Sequence, residues 1–339
     1  MPVQDQAGMS HTDSAVRVTA LTKEFTQWQR DNTFKGVLRN MLRPEKLKVM
    51  ALDGVSFNIS KGDFVAYAGP NGAGKSTTMK LLAGMLAPTS GDIVTLGYNP
   101  QKQRRALMKR LGILFGNRTE LWWDHPIIQS FQWKKAVWDI PDALYKKNLN
   151  RVTELLGLEG LLKTFARELS LGQRMRADLA MMLLHAPELL LLDEPTLGLD
   201  VTAKRDMIAF LKQLNREDGA TIIVTSHDMD DLEEMTRRIL ILSDGKLAYD
   251  GPFDGLRAVT GNLTRLTVRA DTMPSLPGAA LVSAGGGVYA YNLDTAVTPV
   301  RNILCALSET SGIQDIEINK APIEQVIAAL YASWENKKG

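Results

Sequence analysis

The nine residues GPNGAGKST, from Gly69 to Thr77, fit the pattern G-x-x-x-x-G-K-[ST]. In this pattern the glycines let successive backbone N–H groups converge on phosphate oxygens, and the helix that follows adds positive potential. Lys75 is expected to reach the β- and γ-phosphates of a nucleotide, and the Ser76 hydroxyl to bind Mg²⁺. A glycine turn alone would explain neither this lysine nor this serine. The candidate phosphate-binding residues are Gly69, Asn71, Gly72, Gly74, Lys75, Ser76 and Thr77.

Two acidic residues and a histidine stand where predicted core strands end. Asp193 follows the apolar run Glu188–Leu192, so its carboxylate should emerge beside the phosphate loop and hold Mg²⁺, directly or through water. Glu194 comes next and could orient or deprotonate an attacking water. His227 follows another apolar run, where ligands of open α/β sheets collect, and its neutral imidazole could contact the γ-phosphate and hold the water or Glu194. With Lys75, these residues form a set able to hydrolyse a nucleoside triphosphate.

The elements that must position these residues alternate along the chain. Short apolar runs have the character of strands buried on both faces, and helical patterns separate them, which predicts a parallel sheet with covering helices. Asp244-Gly245 is a hairpin signal. The predicted strands are 15–22, 52–59, Phe64–Ala68, Glu188–Leu192, Thr221–Thr225, Ile239–Leu242 and Lys246–Tyr249, and the predicted helices are Lys75–Leu86, Gln173–Leu184 and Ala203–Leu214.

The composition bounds the class of protein. At 339 residues the chain exceeds the usual size of one domain, and 45% apolar with 23% charged residues are typical of a globular protein. A net charge of +2 is too small for the whole surface to bind nucleic acid electrostatically.

Cys305 is the only cysteine, so a reducing compartment is expected, and its apolar helical context predicts a core position. No apolar run approaches the roughly 18 residues that span a bilayer, and the N-terminus lacks an apolar signal-peptide core.

A basic insertion interrupts the pattern at about residues 26–50, which hold six basic and two acidic side chains. The spacing of one helical face is followed there by Phe34, Val37, Leu38 and Met41. Such a helix either packs on its own domain or lies beside a membrane. Both interpretations remain open at the level of the sequence.

The character of the chain changes after Gly251-Pro252. Strands are predicted at 263–268, 287–291 and 313–318, and helices at 300–308 and 322–334. We therefore expect one domain over residues 1–252 and a small α+β domain over 253–339. The smaller domain shows no catalytic constellation.

Four motifs together carry a family resemblance. GPNGAGKST, LSLGQ, LLLLDEPTLGLD and VTSHD occur in the order and approximate spacing of the ATP-binding subunits of ABC transporters, over roughly residues 15–250. The resemblance implies an α/β fold of the P-loop NTPase class, the ABC ATPase, with a mixed and largely parallel sheet core. It also implies a helical subdomain at about 118–185 that carries the signature LSLGQ, and ATP with Mg²⁺ as cofactors.

The resemblance assigns LSLGQ to a site shared between two chains. In the family this signature faces the nucleotide of a second subunit, so Ser170, Gly172 and Gln173 would meet a γ-phosphate held by the partner. Asp200 would belong to the D-loop, which couples the two sites. The expected partner is a second copy or a close homologue. Leu171 stands where the family usually has glycine, and its retained neighbours should make this substitution tolerable.

Two further positions follow from the resemblance. Phe25 corresponds to the aromatic residue that stacks on adenine, with Trp28 as the alternative. The family's glutamine loop should follow the predicted strand 111–115, but Asn117 occupies the expected glutamine position. Because asparagine is one methylene shorter, its Mg²⁺ contact is expected to be lost or to need a water, which would weaken coupling without inactivating the site.

Four of the six tryptophans lie between residues 122 and 138: Trp122, Trp123, Trp133 and Trp138. In the family this region receives a short helix of the membrane subunit. An exposed aromatic patch is therefore expected here. A tryptophan-rich core is the alternative.

The resemblance implies an ATPase at the cytoplasmic face of the membrane that drives separate integral permease subunits. LWWD, the basic insertion and the small C-terminal domain resemble exporter ATPases of the ABC-2 type. The alternative is an ABC ATPase that acts on ribosomes or nucleic acid, but such proteins usually carry two cassettes or a long coiled coil, and no specific nucleic-acid partner is expected. The hydrolytic set disfavours a purely regulatory module, and the absence of N-K-x-D disfavours a GTPase.

Overall fold

In the computed structural model the chain is described at residues 13–28, 46–115, 119–259, 263–294, 297–308 and 310–320. The chain divides into two compact units, Met1–Asp250 and Gly251–Gly339. Within the described ranges, no helix combines the length and the apolar character needed to cross a bilayer. The predicted helices at 34–41 and 322–334, and Asn117, lie outside the described residues.

The larger sheet of the first unit contains β3 (Phe64–Ala68), β5 (Leu111–Phe115), β6 (Leu189–Asp193), β7 (Thr221–Thr225), β8 (Arg238–Ser243) and β9 (Lys246–Pro252). Their order in the sheet is β5-β6-β7-β3-β8-β9. Strand β3 pairs in parallel with β7 and β8, and β6 pairs in parallel with β5 and β7. The central strands are buried along almost their whole length, as their continuous apolar sequences predict.

A second, antiparallel sheet of this unit has the order β2-β1-β4, with β1 (Ser14–Trp28), β2 (Lys46–Ser60) and β4 (Ser90–Thr95). The predicted basic insertion at about 26–50 begins and ends within the β1–β2 ladder. Residues 26–28 pair with residues 46–48, because β1 and β2 continue their ladder beyond the predicted strand ends. Lys48 Nζ lies 2.9 Å from Glu24 Oε1 across this ladder.

Helices cover the sheets. The first unit contains α1 (Lys75–Leu82), α2 (Arg104–Met108), α3 (Ile127–Trp138), α4 (Asp142–Leu155), α5 (Leu171–Leu183), α6 (Val201–Asp218) and α7 (Met229–Met235), with short 3-10 turns at Glu159–Leu161 and Ala166–Glu168. The predicted extension of α1 to Leu86 is wrong. Gly84 has a φ of +67°, and a Cβ there would approach Pro100 O, so the chain turns away after Leu82.

The second unit contains α8 (Phe253–Val259), α9 (Val300–Ser308) and the antiparallel sheet β11-β12-β10-β13. The strands are β10 (Leu263–Ala270), β11 (Ala279–Gly285), β12 (Val288–Asp294) and β13 (Ile313–Lys320). The α/β fold class with a small α+β second unit is thereby confirmed, although β11 was not predicted. The core prediction for Cys305 is wrong: its thiol is exposed, because Ile303 and Leu307 form the buried face of α9.

Candidate active site

The phosphate loop joins β3 to α1, and its backbone requires glycine at two places. Gly69 and Gly74 have φ angles of +148° and +105°. A Cβ on Gly69 would lie 2.5 Å from Leu242 O, and one on Gly74 would lie 2.5 Å from Ala51 O. Positive φ and close backbone neighbours both select glycine, so this turn can bring its N–H groups to the start of α1.

We predict that Gly74→Ala lowers the free energy of unfolding by at least about 1 kcal/mol more than Gly72→Ala. Both glycines have positive φ, but a Cβ on Gly72 has no neighbour within 4 Å. The pair therefore separates steric contact from backbone strain. Urea unfolding of the nucleotide-free chains measures the difference, and equal losses would contradict the steric account.

Lys75 is held under the loop. Its Nζ donates to Gly69 O at 2.6 Å and to Pro70 O at 3.2 Å, and only 7% of the residue is exposed. Burial lowers the pKa of Lys75, whereas the nearby carboxylates of Glu194 and Asp193 act in the opposite direction. The loop thus places a desolvated ammonium at the N-terminus of α1, where a nucleotide's phosphates would lie.

The two predicted Mg²⁺ ligands, Ser76 and Asp193, lie next to one another. Ser76 Oγ donates to Asp193 Oδ2 at 2.9 Å, and Thr225 Oγ1 donates to Asp193 Oδ1 at 2.6 Å. Hydroxyl and carboxylate oxygens are ligands that Mg²⁺ accepts, and Mg²⁺ usually takes only one or two from the protein. The donor set therefore fits Mg²⁺. Among the described residues no cluster of three or more His, Cys, Asp or Glu side chains forms a metal cage.

Glu194 and His227 form a second pair beside this carboxylate. His227 Nε2 lies 2.6 Å from Glu194 Oε1, so the imidazole N–H donates to the carboxylate. Glu194 has a φ of +59°, which is uncommon for a residue with a side chain. Its N–H donates to Thr225 O and Oγ1, each at 3.1 Å. These bonds hold the strained backbone that aims the carboxylate.

Thr225 was not predicted as a site residue. It pairs directly with Asp193 in the β6–β7 ladder, and its hydroxyl and carbonyl contact both acidic residues. In the sequence, its place at the end of TIIVT is the feature that could have indicated a site residue. Threonine is common at strand ends, so this position alone does not identify a site residue unless the pairing of β7 with β6 is known.

The signature residues lie at the exposed start of α5. Ser170 is the N-cap: Gln173 N donates to Ser170 Oγ at 3.2 Å, and Ser170 N donates to Gln173 Oε1 at 2.9 Å. This is a capping box, a structural role that the S-x-x-Q spacing could have predicted. None of the described contacts of Ser170, Gly172 or Gln173 reaches the chain's own phosphate loop.

The signature and the predicted D-loop adjoin one another in the same chain. Asp200 caps α6 by accepting from Ala203 N at 2.8 Å. A Cβ on Gly198 would lie 2.7 Å from Leu171 Cδ2, so Leu171 packs over this glycine. The side chain that departs from the family pattern therefore joins the start of α5 to the turn before α6.

Three further predicted site residues are Phe25, assigned to adenine, and Asn71 and Thr77, assigned to the phosphates. Phe25 lies on β1, is half-buried, and has Lys23 Nζ 5.0 Å from its ring centroid. Asn71 is exposed, and Thr77 is half-buried in the first turn of α1. The side chain of Trp28 lies outside the described residues. The assignment of Phe25 to adenine stays a prediction.

Three of the four clustered tryptophans are exposed: Trp122, Trp123 and Trp133. The rings of Trp122 and Trp133 are 5.7 Å apart, and His125 packs 5.4 Å from Trp122. We call the side chains of Trp122, Trp123, His125 and Trp133 the aromatic surface. Trp138 is half-buried and contacts Lys134 and His185 instead. Three exposed indoles, two of them in tilted ring contact, favour an interface over a tryptophan core.

The chain is similar to ATP-binding proteins of ABC transporters. The profile of the family described as ABC transporter matches residues 52–197. The ABC transporter ATP-binding protein NatA of Bacillus subtilis is 30% identical over 62% of this chain and 86% of its own length. The bacitracin transport ATP-binding protein BcrA of Bacillus licheniformis is 34% identical over 61% of this chain and 66% of its own length, just under two thirds.

A solved structure agrees with the architecture. CbiO1 of Clostridium perfringens, described as part of the ABC transporter complex cbiONQ, superposes with a TM-score of 0.58 at 26% identity. The superposition covers 73% of this chain and 95% of cbiO1. These relatives are transport proteins by name, and they lend no support to the alternative of a ribosome- or nucleic-acid-directed ATPase.

Proposed function

The chain belongs to the family of ABC transporter ATP-binding proteins. We propose that it hydrolyses ATP as one half of a head-to-tail dimer that drives a membrane permease. The observation that carries this proposal is the convergence of Lys75, the Ser76–Asp193 pair and the Glu194–His227 pair at one sheet edge. A phosphate loop that only bound nucleotide would not need the Glu194–His227 pair.

The residues divide the chemistry among them. Lys75 and the N-terminus of α1 would bind the β- and γ-phosphates. Ser76 and Asp193 would hold Mg²⁺, which when bound offsets the charge of the transferred phosphoryl group. Glu194 would accept a proton from the water whose oxygen attacks the γ-phosphorus, as the bond to the β-phosphate oxygen breaks. His227 holds the Glu194 carboxylate in place.

The exposed signature supports the shared site. Ser170 and the N-terminus of α5 face outward and carry no contact to their own phosphate loop, so they are free to meet the γ-phosphate bound by a second chain. Asp200, at the start of α6, would lie at the same interface. A homodimer and a dimer with a close homologue both satisfy this geometry.

The aromatic surface supports a permease partner. Trp122, Trp123 and Trp133 expose rings where the resemblance places the groove for a membrane-subunit helix. The chain would then work at the cytoplasmic face of a membrane without spanning it. Export remains the direction favoured by the ABC-2 resemblance, and the cargo would be selected by the permease.

Purification from solubilised membranes tests this function. We expect the tagged chain to retain proteins with membrane-spanning segments, and the Trp122→Ala/Trp133→Ala double variant to retain at least about tenfold less while binding ATP normally. Met85→Ala is the matched control, because Met85 is an exposed apolar side chain of the same unit outside the aromatic surface. Ribosomes or nucleic acid in place of membrane proteins would contradict the proposal.

A further inference from the structure

Residues 119–125, which we call the bracing segment, contact the helix that begins at the signature. Thr119 Oγ1 donates to Asp178 Oδ1 at 2.9 Å, and Glu120 N donates to the same oxygen at 3.1 Å. Further along, the guanidinium of Arg174 lies 4.5 Å from the centroid of the Trp123 ring. The segment is therefore attached to α5 at two points about one helical turn apart.

These contacts fall on the face of α5 that carries Ser170. Ser170, Arg174 and Asp178 are each four residues apart, which places them in one row along the helix. Beyond Trp123 the segment continues towards the residues that precede the helix. Arg167 N donates to Trp123 O, and Ala166 N donates to His125 O, each at 3.1 Å. The bracing segment thus follows the Ser170 face from the middle of α5 to its start.

The same segment is fixed to α3 on its other side. Lys134 is buried, and its Nζ lies 2.8 Å from Glu120 Oε2. Trp122 N donates to Ser130 Oγ at 2.9 Å, and the Trp122 ring packs on Trp133. The aromatic surface and the signature helix therefore share one short stretch of backbone.

The burial of the Asp178 carboxyl is energetically unfavourable, so packing alone does not explain this residue. It is 8% exposed, and burial raises the pKa of its carboxyl to about 6, although the bonds from Thr119 and Glu120 oppose this shift. An apolar side chain would avoid the desolvation of a charge. Stability of the core does not by itself explain a carboxylate here, but attachment of the segment does.

We propose that Arg174 and Asp178 are positioning residues that hold the bracing segment against α5 and so tie the aromatic surface to the Ser170 end of the helix. The proposal rests on the proposed function, since it names the contacts through which a membrane partner acts on the shared site. Loss of either side-chain contact would loosen the segment along α5, while the backbone bonds from Ala166 N and Arg167 N to the segment remain. The described contacts of Arg174 and Asp178 with the segment do not involve the chain's own phosphate loop.

The test uses the full chain carrying Glu194→Gln, in which ATP-bound dimers are expected to accumulate. Arg174→Ala and Asp178→Ala are each added, and the monomer's ATP affinity and the ATP-dependent dimer affinity are measured by calorimetry and analytical ultracentrifugation. We expect ATP affinity within about twofold of the parent and dimer affinity weakened at least about tenfold. Asp178→Asn keeps an oxygen acceptor and should restore dimer affinity to within about threefold. Arg216→Ala, an exposed arginine on α6, is the matched control.

Unchanged dimer affinity in both alanine variants would overturn the proposal. So would an equal loss of ATP affinity, because the effect would then lie in folding or in the nucleotide pocket. If Asp178→Asn failed to restore dimer affinity, the hydrogen-bond assignment would be wrong. A parent that forms no ATP-dependent dimer would refute the proposed function itself, so the two failures are distinguishable.

Discussion

Glu194→Gln is expected to lower steady-state ATP hydrolysis by about 10²- to 10⁴-fold and to leave ATP binding intact. Glutamine keeps the size of the side chain and can still accept the hydrogen bond from His227, but it cannot take a proton from water. With hydrolysis blocked, ATP would remain between the two chains and dimers would accumulate. Malachite-green phosphate release measures the first effect, and light scattering with and without ATP measures the second.

Glu234→Gln is the matched control for this variant. Glu234 lies on α7 and pairs with Lys212 at 3.5 Å, so its neutralisation removes an exposed ion pair outside the site. It should hydrolyse ATP at the rate of the unmodified chain. A Glu194→Gln variant that still turned over ATP within about threefold of that rate would show that another group accepts the proton.

Ser170→Arg is expected to abolish hydrolysis while the isolated chain binds ATP with unchanged affinity. The arginine places bulk and charge at the exposed start of α5, where a second chain's γ-phosphate would lie. Loss of the N-cap itself costs only about 1 kcal/mol, so the fold should persist. Ser170→Thr retains the capping hydroxyl and serves as the control, with hydrolysis close to that of the unmodified chain.

Mixing the two inactive variants gives a sharper result. A heterodimer of Ser170→Arg with Glu194→Gln contains one site with an intact Glu194 from one chain and an intact Ser170 from the other. Phosphate release should therefore reappear on mixing, although neither variant is active alone. Normal turnover by Ser170→Arg alone would contradict a site built from two chains.

The parts of the site that follow directly from sequence are those set by strand ends. The runs FVAYA, LLLLD and TIIVT predict buried parallel strands, and parallel strands bring their carboxyl ends to one edge. This is why Lys75, Asp193, Glu194 and His227 could be grouped before any contact was known. The structure adds their pairing, in particular the bond between Ser76 and Asp193.

Other features depended on tertiary register and could not be predicted. Thr225 enters the site only because β7 pairs with β6 with that residue beside Asp193. Cys305 has an apolar neighbourhood in sequence, but the orientation of α9 turns it outward. The bond from Thr119 to Asp178 spans 59 positions, and no local pattern indicates it. The extension of β1 and β2 into the basic region was not predicted, because lysine is depleted in strands and the region resembles an exposed loop.

The contact of Leu171 with Gly198 has a consequence for timing. In a symmetric pair of chains, the start of α5 would touch one ATP and the turn before α6 would lie close to the other. The Leu171 side chain packs across both segments. If α5 tilted when phosphate left the first ATP site, the residues around the second ATP would therefore move as well. The two hydrolysis events would then be unequal, with the second rate set by the first.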